Sequence, residues 1–117
     1  MDQKEIRKLT RERLSSIRII SGKLNQYKRK LEEARKLEKD KECISKLQSK
    51  VLEYETELIN IKNAIESLED REKQVIVLTA FEKVSLDSIA YKINLSRSQV
   101  YRIKAKALDT IGEILYC

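Results

Sequence analysis

The sequence predicts an all-α chain, with a long antiparallel helical hairpin followed by a compact helix-turn-helix. Three observations predict it. Apolar residues recur at spacings of three and four along nearly the whole length, and no segment alternates apolar with polar residues as a strand does. Proline is absent and glycine occurs twice, so few positions would interrupt a helix. Charged residues make up 38% of the 117, and one Phe and five Tyr are the only aromatic side chains, which leaves Ile, Leu and Val to build any core.

The first helical segment runs over residues 2–37. Its stripe is Ile6, Leu9, Leu14, Ile17, Ile20, Leu24, Tyr27, Leu31 and Ala34, and Gly22 weakens this helix by ~1 kcal/mol without ending it. The second, residues 42–69, carries an unbroken heptad of Ile44, Leu47, Val51, Tyr54, Leu58, Ile61, Ile65 and Leu68, a coiled-coil seam. The two registers do not match. The slip falls in Glu38-Lys39-Asp40-Lys41-Glu42, which has no apolar residue. Either 38–42 is a turn and the helices pack back on each other, or one helix about 100 Å long, at 1.5 Å per residue, dimerises. Two apolar faces flanking a charged interruption satisfy each other within one chain at low loop-closure cost, which favours the hairpin. A homodimer through these N-terminal helices stays compatible with it. The predicted domains are 1–69, the hairpin, and 70–117, the helix-turn-helix.

In the second domain Asp70 is the expected N-cap of a short helix bearing Val75, Ile76, Leu78 and Phe81, with Glu72 placed for the helix dipole. Ser85 is the next N-cap, ahead of Leu86, Ile89, Ala90 and Ile93. The turn is Asn94-Leu95, and the last helix spans Ser96–Leu108. A helix-turn-helix needs a small residue where its helices cross, a turn residue that tolerates positive φ, and apolar wedges between the helices. Ala90 is the small residue and Asn94 suits the left-handed position. Ile89, Ile93, Leu95, Val100 and Ile103 form the wedge, and Ser96 with Gln99 makes a capping box.

The formal net charge is +6, spread over the chain. Within Leu86–Lys106, however, Lys92, Arg97, Arg102, Lys104 and Lys106 face only Asp87, a local +4 that suits a polyanion. On the last helix Val100, Ile103, Ala107 and Ile111 point inward, while Arg97, Ser98, Tyr101, Arg102 and Ala105 point outward near the end that enters a major groove in such motifs. The candidate double-stranded-DNA-binding set is Ser96, Arg97, Ser98, Gln99, Tyr101, Arg102, Lys104 and Lys106. Arg97 and Arg102 suit a bidentate contact to guanine O6 and N7. Ser98, Gln99 and Tyr101 are within reach of bases or phosphates, and Lys104 and Lys106 suit phosphates. A surface tyrosine on a helix more often packs than reads bases, and the bland alternative for the whole segment is a helical hairpin with a basic outer face.

The run Leu68-Glu69-Asp70-Arg71-Glu72-Lys73-Gln74-Val75-Ile76-Val77-Leu78 resembles the opening of region 4 of sigma-70 family factors. Ser85–Ala90 and Leu95–Leu108 continue the likeness, which covers residues 68–115. The pattern LSxSxVYRxxxxAL also resembles small phage and prophage regulators of the ArpU/RinA type. The resemblance implies groove binding through Arg97, Ser98, Tyr101 and Arg102, a role in transcription, and RNA polymerase as a candidate partner. A complete sigma factor is not implied. Promoter melting needs a region rich in aromatic and basic residues, and Tyr27 and Tyr54 both lie on the helical seam.

Other classes rank lower. Histidine is absent and no nucleophile–base pair is gathered, so an enzyme is not expected. Cys43 and Cys117 form no metal pattern, no cofactor or metal is expected, and reduced thiols fit a cytoplasmic setting. No apolar run approaches the ~18–20 residues of a membrane span, and the start lacks a signal-peptide core. Two competitors to a DNA-binding regulator remain: a small terminase-like DNA-packaging subunit, which also joins a helix-turn-helix to a coiled coil, and a module that binds polymerase without DNA.

Overall fold

A computed structural model of the chain describes residues 2–116, and every described regular element is helical. These are α1 (Gln3–Ser15), α2 (Ile17–Lys36), α3 (Lys41–Glu66), α4 (Asp70–Ile76), a π-helical turn (Val77–Phe81), α5 (Leu86–Ile93) and α6 (Arg97–Tyr116). None is long and apolar enough to cross a membrane.

Packing divides the chain into two units, and the division differs from the expected boundary at 69/70. Ser16–Asn60 form one unit; the residues up to Ser15 join those from Ile61 onward in the other. The expected single helix over 2–37 is therefore two, separated at Ser16 rather than at Gly22. Apolar periodicity continues across a one-residue break, so the stripe alone could not reveal it.

In the first of these units α2 and α3 reverse direction through residues 37–40, beside the predicted slip. Glu38 takes φ 52°, the Lys39 N–H donates to Ala34 O (2.9 Å) and the Glu38 N–H to Arg35 O (3.2 Å). This is a Schellman ending, reached here without glycine. Asp40 then accepts from the Cys43 N–H at 2.8 Å and starts α3. Leu24, Leu31 and Ala34 are buried on α2, and the Tyr27 and Tyr54 rings stack with centroids 5.7 Å apart. The antiparallel hairpin is thus formed within one chain.

In the other unit α1 packs on α6, helped by a local absence of side chain. A Cβ at Gly112 would stand 2.5 Å from Ile6 Cγ2 and 2.8 Å from Thr10 Oγ1. Thr10 is fully buried, and its hydroxyl donates back to Ile6 O at 2.7 Å. Arg7 closes one edge with a bidentate bridge to Asp109, Nε–Oδ1 2.8 Å and Nη2–Oδ2 2.7 Å, and Arg13 lies over the Tyr116 ring. The Arg7 hydrogen bonds hold the Asp109 carboxyl below the usual carboxylate range, and the same bonds raise Arg7.

The two glycines should therefore respond oppositely to the same substitution. At Gly22 an added Cβ meets nothing within 4 Å, so Gly22→Ala is expected to stabilise by about 0.5–1 kcal/mol. Gly112→Ala forces α1 off α6 and is expected to destabilise by ~1–3 kcal/mol, the usual range for overpacking. Thermal unfolding followed by circular dichroism measures both, and equal shifts of one sign would refute the close approach.

A second departure lies at α4. The N-cap is Glu69, not Asp70: Glu69 is extended and its N–H donates to Glu72 Oε1 at 3.3 Å, while Asp70 is the first helical residue. Past Ile76 the helix widens. The Glu82 N–H reaches Val77 O and the Val84 N–H reaches Leu78 O, closing the π turn, with Lys83 at φ 56° ending it.

Candidate nucleic-acid interface

The Ser85 hydroxyl accepts from the Ser88 N–H at 3.2 Å and starts α5. At the other end Asn94 adopts φ 60°, ψ 43°, and the Leu95 N–H donates to Ala90 O at 3.0 Å. Asparagine tolerates this conformation because its short side chain offers local hydrogen bonds. The chain leaves the turn into a reciprocal cap. The Gln99 N–H donates to Ser96 Oγ (3.1 Å), and the Ser96 N–H donates to Gln99 Oε1 (2.9 Å).

Packing fixes how the two helices meet. Val75, Ile89 and Val100 are fully buried and Ala90 nearly so, with Leu78, Val84, Leu86, Ile93, Leu95 and Ile103 packed around them. Every wedge residue expected from the sequence is in this cluster. The last helix, however, does not stop at Leu108. It runs on to Tyr116, because Ala107, Leu108, Ile111 and Gly112 continue its buried side, where α1 packs.

The eight predicted residues fall into three groups. Arg97, Ser98, Tyr101 and Arg102 come together, all exposed, around one open groove of about 500 Å³ that Leu86 also lines. Tyr101 is 58% exposed, so it is not a packing tyrosine. Arg97 Nε lies 3.5 Å from Asp87 Oδ1 on α5, a solvent-facing contact. Ser96 and Gln99 are exposed, yet the Ser96 hydroxyl and Gln99 Oε1 serve the cap, leaving the Gln99 amide nitrogen as the freer group. Of the two lysines only Lys106 is exposed. Lys104 instead lines a separate cavity with residues of α1 and the π turn, so the structure does not place it with the groove. Burial lowers its pKa, and the nearby charge of Arg11 lowers it further.

The sequence reading missed α1 altogether as a neighbour of this helix. Gly112 alone could not announce it, since Gly22 is also a mid-helix glycine and a Cβ there meets nothing within 4 Å.

Residues 64–112 match the family model described as Sigma-70, region 4. No curated protein and no solved structure matches the chain.

Proposed function

We propose that the chain is a sequence-specific transcription regulator reading the major groove of double-stranded DNA with α6, a reading supported by the match of residues 64–112 to sigma-70 region 4. The observation that carries this reading is the groove at the capped start of α6. There Arg97, Ser98, Tyr101 and Arg102 are exposed together on a helix whose opposite side is locked into the core. Two guanidinium groups supply bidentate donors for guanine, and Lys106 supplies a phosphate contact.

The regulator is non-enzymatic and acts in the cytoplasm. RNA polymerase is its candidate protein partner, by analogy with region 4 in sigma factors, and the ArpU/RinA-like pattern supports a phage or prophage origin. The α2–α3 hairpin serves as the dimerisation element: Leu52 and Ile59, seven residues apart on α3, are 66% and 53% exposed.

Selection of bound duplexes from a random pool, run with sedimentation of the free protein, tests the reading. A recovered consensus of a few base pairs per α6 and a dimeric species support it. Binding with no consensus at any salt concentration would refute sequence-specific recognition, and no binding at all would favour the polymerase-binding module. A ring-sized oligomer would favour DNA packaging.

A further inference from the structure

The cavity that Lys104 lines, apart from the groove, brings three cations together. It lies among α1, the π turn and α6, with a volume of about 270 Å³. Arg11, Lys83 and Lys104 supply three cations around it. Leu14, Ile76 and Leu108, all buried, supply an apolar floor. Glu12 also lines it, yet among the described residues no carboxylate lies within ion-pair distance of any of the three cations.

That arrangement is unfavourable when empty. Like charges gathered there repel, and Lys104, half-buried where Arg11 and Lys83 are exposed, also loses solvation. Lys104 registers both effects, with its pKa lowered by burial first and by Arg11 second. Thr79 and Ala80 of the π turn also line the cavity, and Lys83 follows them in the left-handed conformation. π turns and left-handed non-glycine residues are conformations found disproportionately at functional sites.

We propose that this cavity binds a small organic anion, a carboxylate or phosphate carried on a short hydrocarbon chain or a single ring. The anionic head satisfies the three cations, and the apolar body covers Leu14, Ile76 and Leu108. The volume sits just below the ~300–1,000 Å³ of sites for drug-sized ligands, which excludes a dinucleotide or a long acyl chain. Since α1, the π turn and α6 all line the site, bound ligand ties α1 to the helix that carries the groove. The inference stands on this cavity alone and does not require the DNA-binding reading.

Calorimetric titration and thermal unfolding of the full chain with hexanoate, hexyl phosphate, inorganic phosphate and hexylammonium test it. Hexanoate and hexyl phosphate are expected to bind saturably at one site and to raise the melting temperature. Inorganic phosphate should bind more weakly than its hexyl ester, and hexylammonium should not bind. Arg11→Gln and Lys104→Gln should each weaken hexyl phosphate about tenfold, the scale of one charge-assisted hydrogen bond. Both variants relieve repulsion, so the unliganded proteins should melt no lower than the parent. Absence of saturable anion binding, equal binding of hexylammonium, or undiminished binding in both variants would overturn the proposal. So would a fall in DNA affinity and salt slope in both variants, which would assign the three cations to duplex phosphates instead.

Discussion

Ala90→Leu is expected to abolish the folded helix-turn-helix. Ala90 is 7% exposed, and the side chains around it include three that are fully buried: Val75, Ile89 and Val100. Its carbonyl also receives the Leu95 N–H that closes the turn, so neither its backbone nor that of Asn94 can yield without losing the left-handed ending of α5. Overpacking a well-filled core costs ~1–3 kcal/mol where neighbours can adjust. At a helix crossing the adjustment must move a whole helix, so the cost is expected at or above that range, a large share of the 5–15 kcal/mol typical of a domain. Ala90→Gly is the control. It removes a methyl group and lowers helix propensity by about 1 kcal/mol, leaving the crossing open. Amide dispersion and thermal unfolding distinguish the two: Ala90→Gly should remain folded with a lower melting temperature, and Ala90→Leu should lose the dispersed signals of residues 86–111. A leucine variant with an unchanged melting temperature would show that Ala90 is not at the crossing.

What could be read from the sequence was whatever is encoded within a few residues. The caps at Ser85 and at Ser96 with Gln99, the left-handed turn at Asn94 and the apolar wedge each depend on neighbours in the chain, and the structure has all of them. The reversal near 38–42 was legible for a related reason. A heptad slip can be counted even though the φ of Glu38 cannot.

The missed features involve contacts far apart in sequence. Arg7 and Asp109 are separated by 102 residues, and nothing local to either foretells their bridge. The same holds for α1, whose stripe is as compatible with continuing the hairpin as with packing on α6. Lys104 was assigned by its charge and its position on the helix, but α1 changes its surroundings. A helical wheel cannot show a neighbour that arrives from the other end of the chain. The shift of the α4 cap from Asp70 to Glu69 is of another kind. Acidic residues at 69, 70 and 72 offered more than one local solution, and the one adopted lets Glu72 receive the Glu69 N–H.

Arg97→Ala and Arg102→Ala are each expected to weaken binding to the selected duplex by ~1–3 kcal/mol, roughly 5- to 150-fold, and to relax preference at one base pair. Binding to a scrambled duplex should change much less. Arg97 must first leave Asp87, but their contact is 3.5 Å long between side chains 70% and 75% exposed. Surface pairs of this kind are worth about 0–1 kcal/mol, less than a bidentate contact to guanine returns, so DNA wins the competition. Lys106→Ala should act differently. Its exposed ammonium suits a phosphate, so its loss should weaken both duplexes alike and lower the salt slope by about one unit. Lys104→Ala should leave that slope where it is, because Lys104 is turned toward the cavity with α1 rather than the groove. Titrations of selected and scrambled duplexes at several salt concentrations separate these outcomes. Equal losses on both duplexes for the two arginine variants would make those residues phosphate anchors. A lowered slope for Lys104→Ala would return that lysine to the DNA-binding surface. No effect from any of the four would remove α6 as the reading helix.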